Sequence, residues 1–447
     1  SRTKIILKQR KEFLHLKALF ITILTKTTNL SSSPSSMDKV IFLISLTLCT
    51  LFTHVTKYHI FLLFVISSGH LFITEVSPLG INYGQVGDNL PAPITVLKLL
   101  NSLNITKARI YDTNPQILTA FENSSVELIV TVENELLSTI ANPLNALQWV
   151  TTRIVPYLPA TRITGIFVGN EVFAGSDQTL NVNLVPATVS IYRALVELGL
   201  DRLIHVSTPC SLAVLSESFP PSSGAFREDN INGMVDLLTF LSSSRSPFWI
   251  NAYPYFAYKD NPNKVSLNYV LFNGKEGTID PITGLTYDNM LYAQVDAVIF
   301  AMAKLGFNGI EIRVAETGWP SMGDADEVGA TIENAVVYNR NLLTRQTRGE
   351  GTPLRPGLAL DIYVFALFNE DKKTGPTSER NYGLFEPNCT MVYNVGLSSL
   401  VKTDNDVDET TSSASIFLDS LAPKRANAGF NDVGVFGLMM VIIFSWI

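Results

Sequence analysis

Gly165-Ile166-Phe167-Val168-Gly169-Asn170-Glu171 is the stretch on which the fold turns. An unbroken apolar run, closed by glycine and then by polar residues, reads as a short strand buried on both faces. The same figure recurs along the chain. Comparable runs lie at 79–83, 108–111, 127–132, 203–207, 248–252, 309–314 and 361–368. Between them stand helical periodicities, among them 93–103, 144–155, 184–198, 288–305 and 330–345. Strands alternating with helices argue for parallel βαβ units. Eight such units predict an α/β fold closed as a (β/α)8 TIM barrel, a single catalytic domain over 78–400. An open doubly wound sheet usually carries a glycine-rich phosphate loop after its first strand, and Gly84-Gln85-Val86-Gly87 is not one.

A barrel puts its reactive groups at the C-terminal ends of its strands. Strand four ends in Glu171. Strand seven, Ile312-Arg313-Val314, is followed by Ala315-Glu316-Thr317-Gly318-Trp319-Pro320. Each therefore sets one glutamate at the rim, and the two strands face each other across the mouth. Paired carboxylates, one protonated and one ionised, are the equipment of glycoside hydrolysis. Asn170 and Trp319 flank the pair. Strand six runs into Asn251-Ala252-Tyr253-Pro254-Tyr255-Phe256-Ala257-Tyr258, whose rings suit stacking on sugars, although core packing accounts for about half of such rings. Tyr83, at the end of strand one, adds a further ring. The loop after strand eight, from Glu370 through Lys373 to Glu379, carries mixed charge beside the same mouth.

Composition narrows the chemistry. Of 447 residues only five are His and three are Cys, and beyond residue 70 only His205, Cys210 and Cys389 remain. A multi-His or multi-Cys metal site is excluded on that count, and no cofactor is expected. His205 is expected to be a satisfied core histidine. Cys210 and Cys389 either pair or stay as two buried thiols. Residues 1–76 hold nine Lys/Arg against three Asp/Glu, and the remainder 24 against 37. An acidic body of this kind has no electrostatic footprint for nucleic acid.

The ends read as processing signals. Residues 1–36 are a basic upstream extension, either a transit segment or untranslated sequence. Residues 37–77 contain Met37-Asp38-Lys39 and the apolar run 40–52, the pattern of a signal peptide. Residues 401–428 form a polar linker with a candidate lipid attachment point. The apolar tail 429–447 completes a GPI-anchor signal, which is removed. Sequons at Asn104, Asn123 and Asn388 are candidate glycosylation sites. Together these predict a secreted, monomeric glycoprotein held by a lipid anchor on the outer face of the plasma membrane or in the cell wall.

The motifs 79–85, 168–171, 251–258, 316–321 and 365–387, in this order, resemble glycoside hydrolase family 17, which includes plant endo-1,3-β-glucanases. The resemblance implies a (β/α)8 barrel and a retaining mechanism, with Glu171 as general acid/base and Glu316 as nucleophile. It implies that Tyr83, Asn170, Tyr255, Glu370, Lys373 and Glu379 bind or support the substrate, and Phe256 and Trp319 join them as candidate substrate contacts from the residues themselves. Asn170 is the expected partner of the sugar 2-hydroxyl, and Lys373 a group that helps keep Glu316 ionised. The implied substrate is a callose-type or laminarin-type 1,3-β-glucan of the wall, in a setting of wall metabolism or plant defence. The residues alone leave open a mixed-linkage glucanase, a transglycosylase and a non-catalytic glucan-binding protein.

Overall fold

The computed structural model describes residues 79–397 apart from 275 and 276. The terminal processing segments lie outside the described residues. Nine parallel strand segments make one sheet: β1 (Gly80–Asn82), β2 (Lys107–Arg109), β3 (Glu127–Val132), β4 (Arg162–Val168), β5 (His205–Ser207), β6 (Pro209–Ser211), β9 (Phe248–Asn251), β12 (Ile312–Thr317) and β13 (Ile362–Val364). Two small antiparallel hairpins, β7 (Leu215–Glu217) with β8 (Ala225–Phe226) and β10 (Thr278–Ile279) with β11 (Thr286–Tyr287), are inserted between them.

The sheet order runs β5-β4-β3-β2-β1-β13-β12-β9-β6. Its two edges are two pieces of one strand, because only Thr208 separates β5 from β6. One piece pairs with β4 and the other with β9, so the fifth strand closes the ring. The eight-stranded barrel read from the sequence is therefore present, with its fifth strand broken. Strand seven differs from the expected 309–314. It runs from Ile312 to Thr317 and changes register near Glu316, where it pairs with β9. Glu316 thus sits within hydrogen-bonded backbone rather than beyond it.

Local chemistry starts the helices where the pattern places them. Pro93, Pro115 and Pro143 occupy first-turn positions, where a missing N–H costs nothing and φ is already set. Asn114, Asn142, Asp177, Asn289 and Thr331 cap helices by accepting first-turn amides. The helix Ile231–Ser244 was not singled out in the sequence; it buries Met234, Leu237, Leu238, Phe240 and Leu241. Among the described residues no helix is long and apolar enough to cross a membrane.

The barrel interior is filled rather than hollow, as a parallel barrel of eight strands requires. Ile129, Phe167, Trp249, Ala315 and Tyr363 form a layer inside the ring. Trp249 meets Phe167 and Tyr363 edge-on, with centroids 5.1 and 5.5 Å apart. His205 is not a core residue. It stands exposed at the start of β5, at the floor of the barrel, where the surrounding strand starts leave a pocket of ≈ 240 Å³. Cys210 is buried and Cys389 half-buried, and both are free thiols.

Candidate active site

The end of β4 is shaped by two left-handed residues, Gly169 at φ +70° and Glu171 at φ +56°. A Cβ on residue 169 would sit 2.9 Å from Val172 and 3.0 Å from the Asn134 side chain, so glycine is needed there. Asn134 grips the turn from both sides. Its Oδ1 accepts the Asn170 amide at 2.8 Å and its Nδ2 donates to the Asn170 carbonyl at 3.1 Å. The Glu171 amide donates to the Pro209 carbonyl at 2.9 Å, which ties this turn to the broken fifth strand. Strain at Glu171 is thus held by its bond to the fifth strand and by the Asn134 grip on the residue before it.

The Glu171 carboxyl accepts one hydrogen bond from Asn251 Nδ2 at 2.7 Å. Burial pushes its pKa up to about 7, and the charge of Glu316 adds to the shift. The Asn251 bond and the Arg109 charge oppose it. A carboxyl in this state still carries its proton near neutrality, as a general acid must.

Glu316 has the opposite surroundings. Arg109 Nη1 donates to its Oε1 at 2.7 Å and the Tyr111 hydroxyl at 2.8 Å. The Tyr253 hydroxyl donates to Oε2 at 2.8 Å. Three donors, one of them a cation, converge on two oxygens. Arg109 is fully buried, its guanidinium 4.4 Å from the Tyr111 ring centre and 4.9 Å from that of Phe167. Its Nη2 reaches Asn170 Oδ1 at 2.7 Å, and Asn251 Nδ2 lies 3.4 Å from the same oxygen. The carboxyls of Glu171 and Glu316 are thereby linked through Asn251, Asn170 and Arg109. A buried arginine without such partners would be strongly destabilising, so the network also holds β2 to β4 and β12.

Glu370 is buried and accepts the Val86 amide at 2.8 Å, with Lys373 Nζ 3.8 Å away. Burial raises its pKa while Lys373 pulls the other way. A Cβ on residue 84 would lie 2.3 Å from both Glu370 oxygens, which explains glycine at that position. Lys373 also lies 3.8 Å from Glu379 and 4.2 Å from the centre of the Phe365 ring. The cation beside Glu316 is therefore Arg109, whereas Lys373 pairs with Glu370 and Glu379.

One cleft of ≈ 580 Å³ is lined by Glu171, Glu316, Asn170, Phe256, Lys373 and Glu379, together with Tyr111, Asn251 and Tyr253. Four residues expected to bind or support the substrate do not line it: Glu370, which pairs with Lys373 as described, and three rings. Tyr255 is fully buried against Trp319, centroids 5.2 Å apart. Trp319 is fully buried too and donates its indole N–H to the Gly329 carbonyl at 2.8 Å. Tyr83 is 2% exposed and packs on Phe368. These rings support the cleft from behind. The helix Pro254–Asp260 begins just after Tyr253, which turns residue 255 inward and leaves residue 253 facing the cleft. The sequence reading passed over Arg109 and Tyr111. The signal was present in Ala108-Arg109-Ile110-Tyr111, where a cation interrupts an apolar strand at the rim. Asn104, Asn123 and Asn388 are exposed. Among the described residues no group of three or more His, Cys, Asp or Glu is arranged to hold a metal ion.

Residues 79–397 match the family model described as Glycosyl hydrolases family 17. Glucan endo-1,3-beta-glucosidase 11 of Arabidopsis thaliana is 50% identical over 340 residues, covering 75% of this chain and 80% of that protein. Glucan endo-1,3-beta-glucosidase 14 of the same plant is 51% identical over 320 residues, covering 71% and 82%. Among solved structures, CJP38, a beta-1,3-glucanase and allergen of Cryptomeria japonica pollen, superposes with a TM-score of 0.69 at 42% identity, covering 72% of this chain and 99% of that one.

Proposed function

The chain belongs to glycosyl hydrolase family 17 and is a glycosidase; from that premise we propose that it cleaves internal 1,3-β-glucosidic bonds of a callose-type or laminarin-type glucan with retention of configuration. The observation that carries the reading is the contrast between two carboxyls in one cleft: Glu171 buried and raised to about 7, Glu316 met by three donors.

The steps follow from those surroundings. Glu316 attacks the anomeric carbon while Glu171 gives its proton to the departing glycosidic oxygen. A glycosyl–Glu316 ester forms and the leaving chain departs with a free hydroxyl. Glu171, now ionised, takes a proton from water, which attacks the same carbon and releases Glu316. As charge leaves Glu316 during attack, the donors Arg109, Tyr111 and Tyr253 fix the direction of the remaining oxygen. Asn170, held by Arg109 and Asn134, offers its amide to the sugar beside the reacting carbon. Phe256 supplies an exposed ring to the cleft, and Lys373 and Glu379 supply polar groups for hydroxyls.

The reading includes secretion and a lipid anchor at the outer membrane face, drawn from the terminal sequences, and glycans on the exposed Asn104, Asn123 and Asn388. Mass spectrometry of the mature protein tests those points. For the chemistry, Glu171→Gln and Glu316→Ala are each expected to abolish most laminarin hydrolysis with the fold intact by circular dichroism. Near-normal turnover by either purified variant rejects the assignment.

A further inference from the structure

Two acidic residues outside the cleft, Asp324 and Glu327, tie together the loops that follow strands seven and eight. Thr377 donates its amide to Asp324 Oδ2 at 2.9 Å and its hydroxyl to Oδ1 at 2.6 Å. One residue on, Ser378 donates its amide to Glu327 Oε2 at 3.0 Å and its hydroxyl to Oε1. Glu327 also accepts the Asp324 amide at 2.8 Å on its carboxylate, and its own amide donates to the Asp324 carbonyl at 2.9 Å, which locks the two residues together. The fastening continues at Ser321, whose amide and hydroxyl donate to the Asn381 carbonyl at 2.8 and 3.1 Å. Glu327 is only 7% exposed, although it lines neither cavity described above. Burial alone would raise its pKa, but the bonds from Ser378 and Asp324 outweigh that and lower it. Asp324 is lowered by its bonds from Thr377.

What this latch holds is the short helical turn Thr377–Arg380, which carries Glu379 into the cleft. Arg380 reaches back from the turn to the Lys373 and Gly375 carbonyls, both at 3.1 Å. Lys373 and Glu379 are thus placed through a segment whose fixed end is the pair of carboxylates. We propose that Asp324 and Glu327 are positioning residues for substrate binding, fixing Lys373 and Glu379 against the glucan through paired side-chain and backbone bonds to Thr377 and Ser378. The proposal rests on the glycosidase reading of the cleft. At 327 one oxygen accepts the Ser378 and Asp324 amides and the other accepts the Ser378 hydroxyl. A glutamine keeps all three contacts by turning its N–H toward the Ser378 hydroxyl, which also accepts, whereas a leucine leaves both backbone amides without a partner.

The test uses Glu327→Leu, Ser378→Ala and their combination, with Asp324→Ala as a variant at the exposed edge should the buried site fail to fold. Laminarin KM and kcat are measured well below each melting temperature, and amide exchange is followed over residues 373–380. The expected result is faster exchange in that segment and a KM raised about fivefold or more, with kcat changed less, the mark of lost binding rather than lost chemistry. The double variant is expected to show no more than the larger single effect, because the bond lost with the Ser378 hydroxyl is already lost with Glu327. Unchanged exchange, or faster exchange with KM unaltered, overturns the proposal, as does a loss confined to kcat or a double variant whose effects add. A parent enzyme inert on every β-glucan refutes the functional reading itself and is recognised before any variant is compared.

Discussion

Asn251→Leu isolates the proton affinity of Glu171. Asn251 is 2% exposed, and its Nδ2 gives Glu171 its side-chain hydrogen bond at 2.7 Å. Its Oδ1 is buried without a partner. Leucine keeps much of the volume, removes the donor and deletes the orphaned oxygen, so the stability cost is small. A hydrogen bond to a charged group contributes about 1.5–3 kcal/mol. Its loss falls on the ionised form of Glu171, and at 1.36 kcal/mol per pH unit the shift is roughly 1–2 units upward. The parent value is about 7. Catalysis needs Glu171 protonated in the free enzyme, so activity falls as pH rises through that value. The descending limb of kcat/KM should therefore move from near 7 toward roughly 8–9 in the variant. The assay is laminarin hydrolysis by reducing-sugar release between pH 4 and 10, with fits to the position of each limb rather than its height. Amplitude will drop as well, since Asn251 lines the cleft, but amplitude does not enter the argument. A descending limb that stays at the parent position, or moves to lower pH, refutes the account of Glu171.

Other outcomes follow from single contacts. Tyr253→Phe removes one of the three donors on Glu316, and kcat/KM on laminarin should fall about 10–100-fold at an unaltered melting temperature. Asp280 accepts the Ser222 amide and hydroxyl, both at 2.8 Å, and the Ile282 and Thr283 amides at 2.9 and 3.1 Å. Although burial opposes it, these bonds lower its pKa from 3.8 to about 2. A depressed folded value means the stabilisation is complete above the unfolded pKa and disappears as pH falls through the folded one. The melting temperature of Asp280→Asn should lie below that of the parent at pH 6, and the gap should close between about pH 4 and 2.

The architecture was legible because buried parallel strands announce themselves. Runs such as Gly165-Ile166-Phe167-Val168 have little other use, and the polar residue after each run marks the rim. Glu171 and Glu316 could be named for the same reason. The break at Thr208 was not legible, since 203–207 and the residues after it look like one strand and a loop. Ring orientation was also hidden. Tyr253 and Tyr255 are two apart and chemically alike, and the helix that begins after Tyr253 decides which of them meets the cleft. Arg109 escaped notice because a lone arginine in a strand more often signals an exposed edge. Its burial depends on Glu316 and Asn170, which are 207 and 61 residues distant in sequence. Tertiary pairing of that range has no local trace.

The packed layer of Phe167, Trp249 and Tyr363 separates the cleft at one end of the barrel from the pocket at the other. Under the proposed function, a glucan would engage only the pole that carries Glu171 and Glu316. The opposite pole, where Asn104 and Asn123 lie just ahead of β2 and β3, is free to carry bulk. If glycans are carried there, as proposed, they would stand away from the cleft, so decoration and turnover would be able to evolve separately.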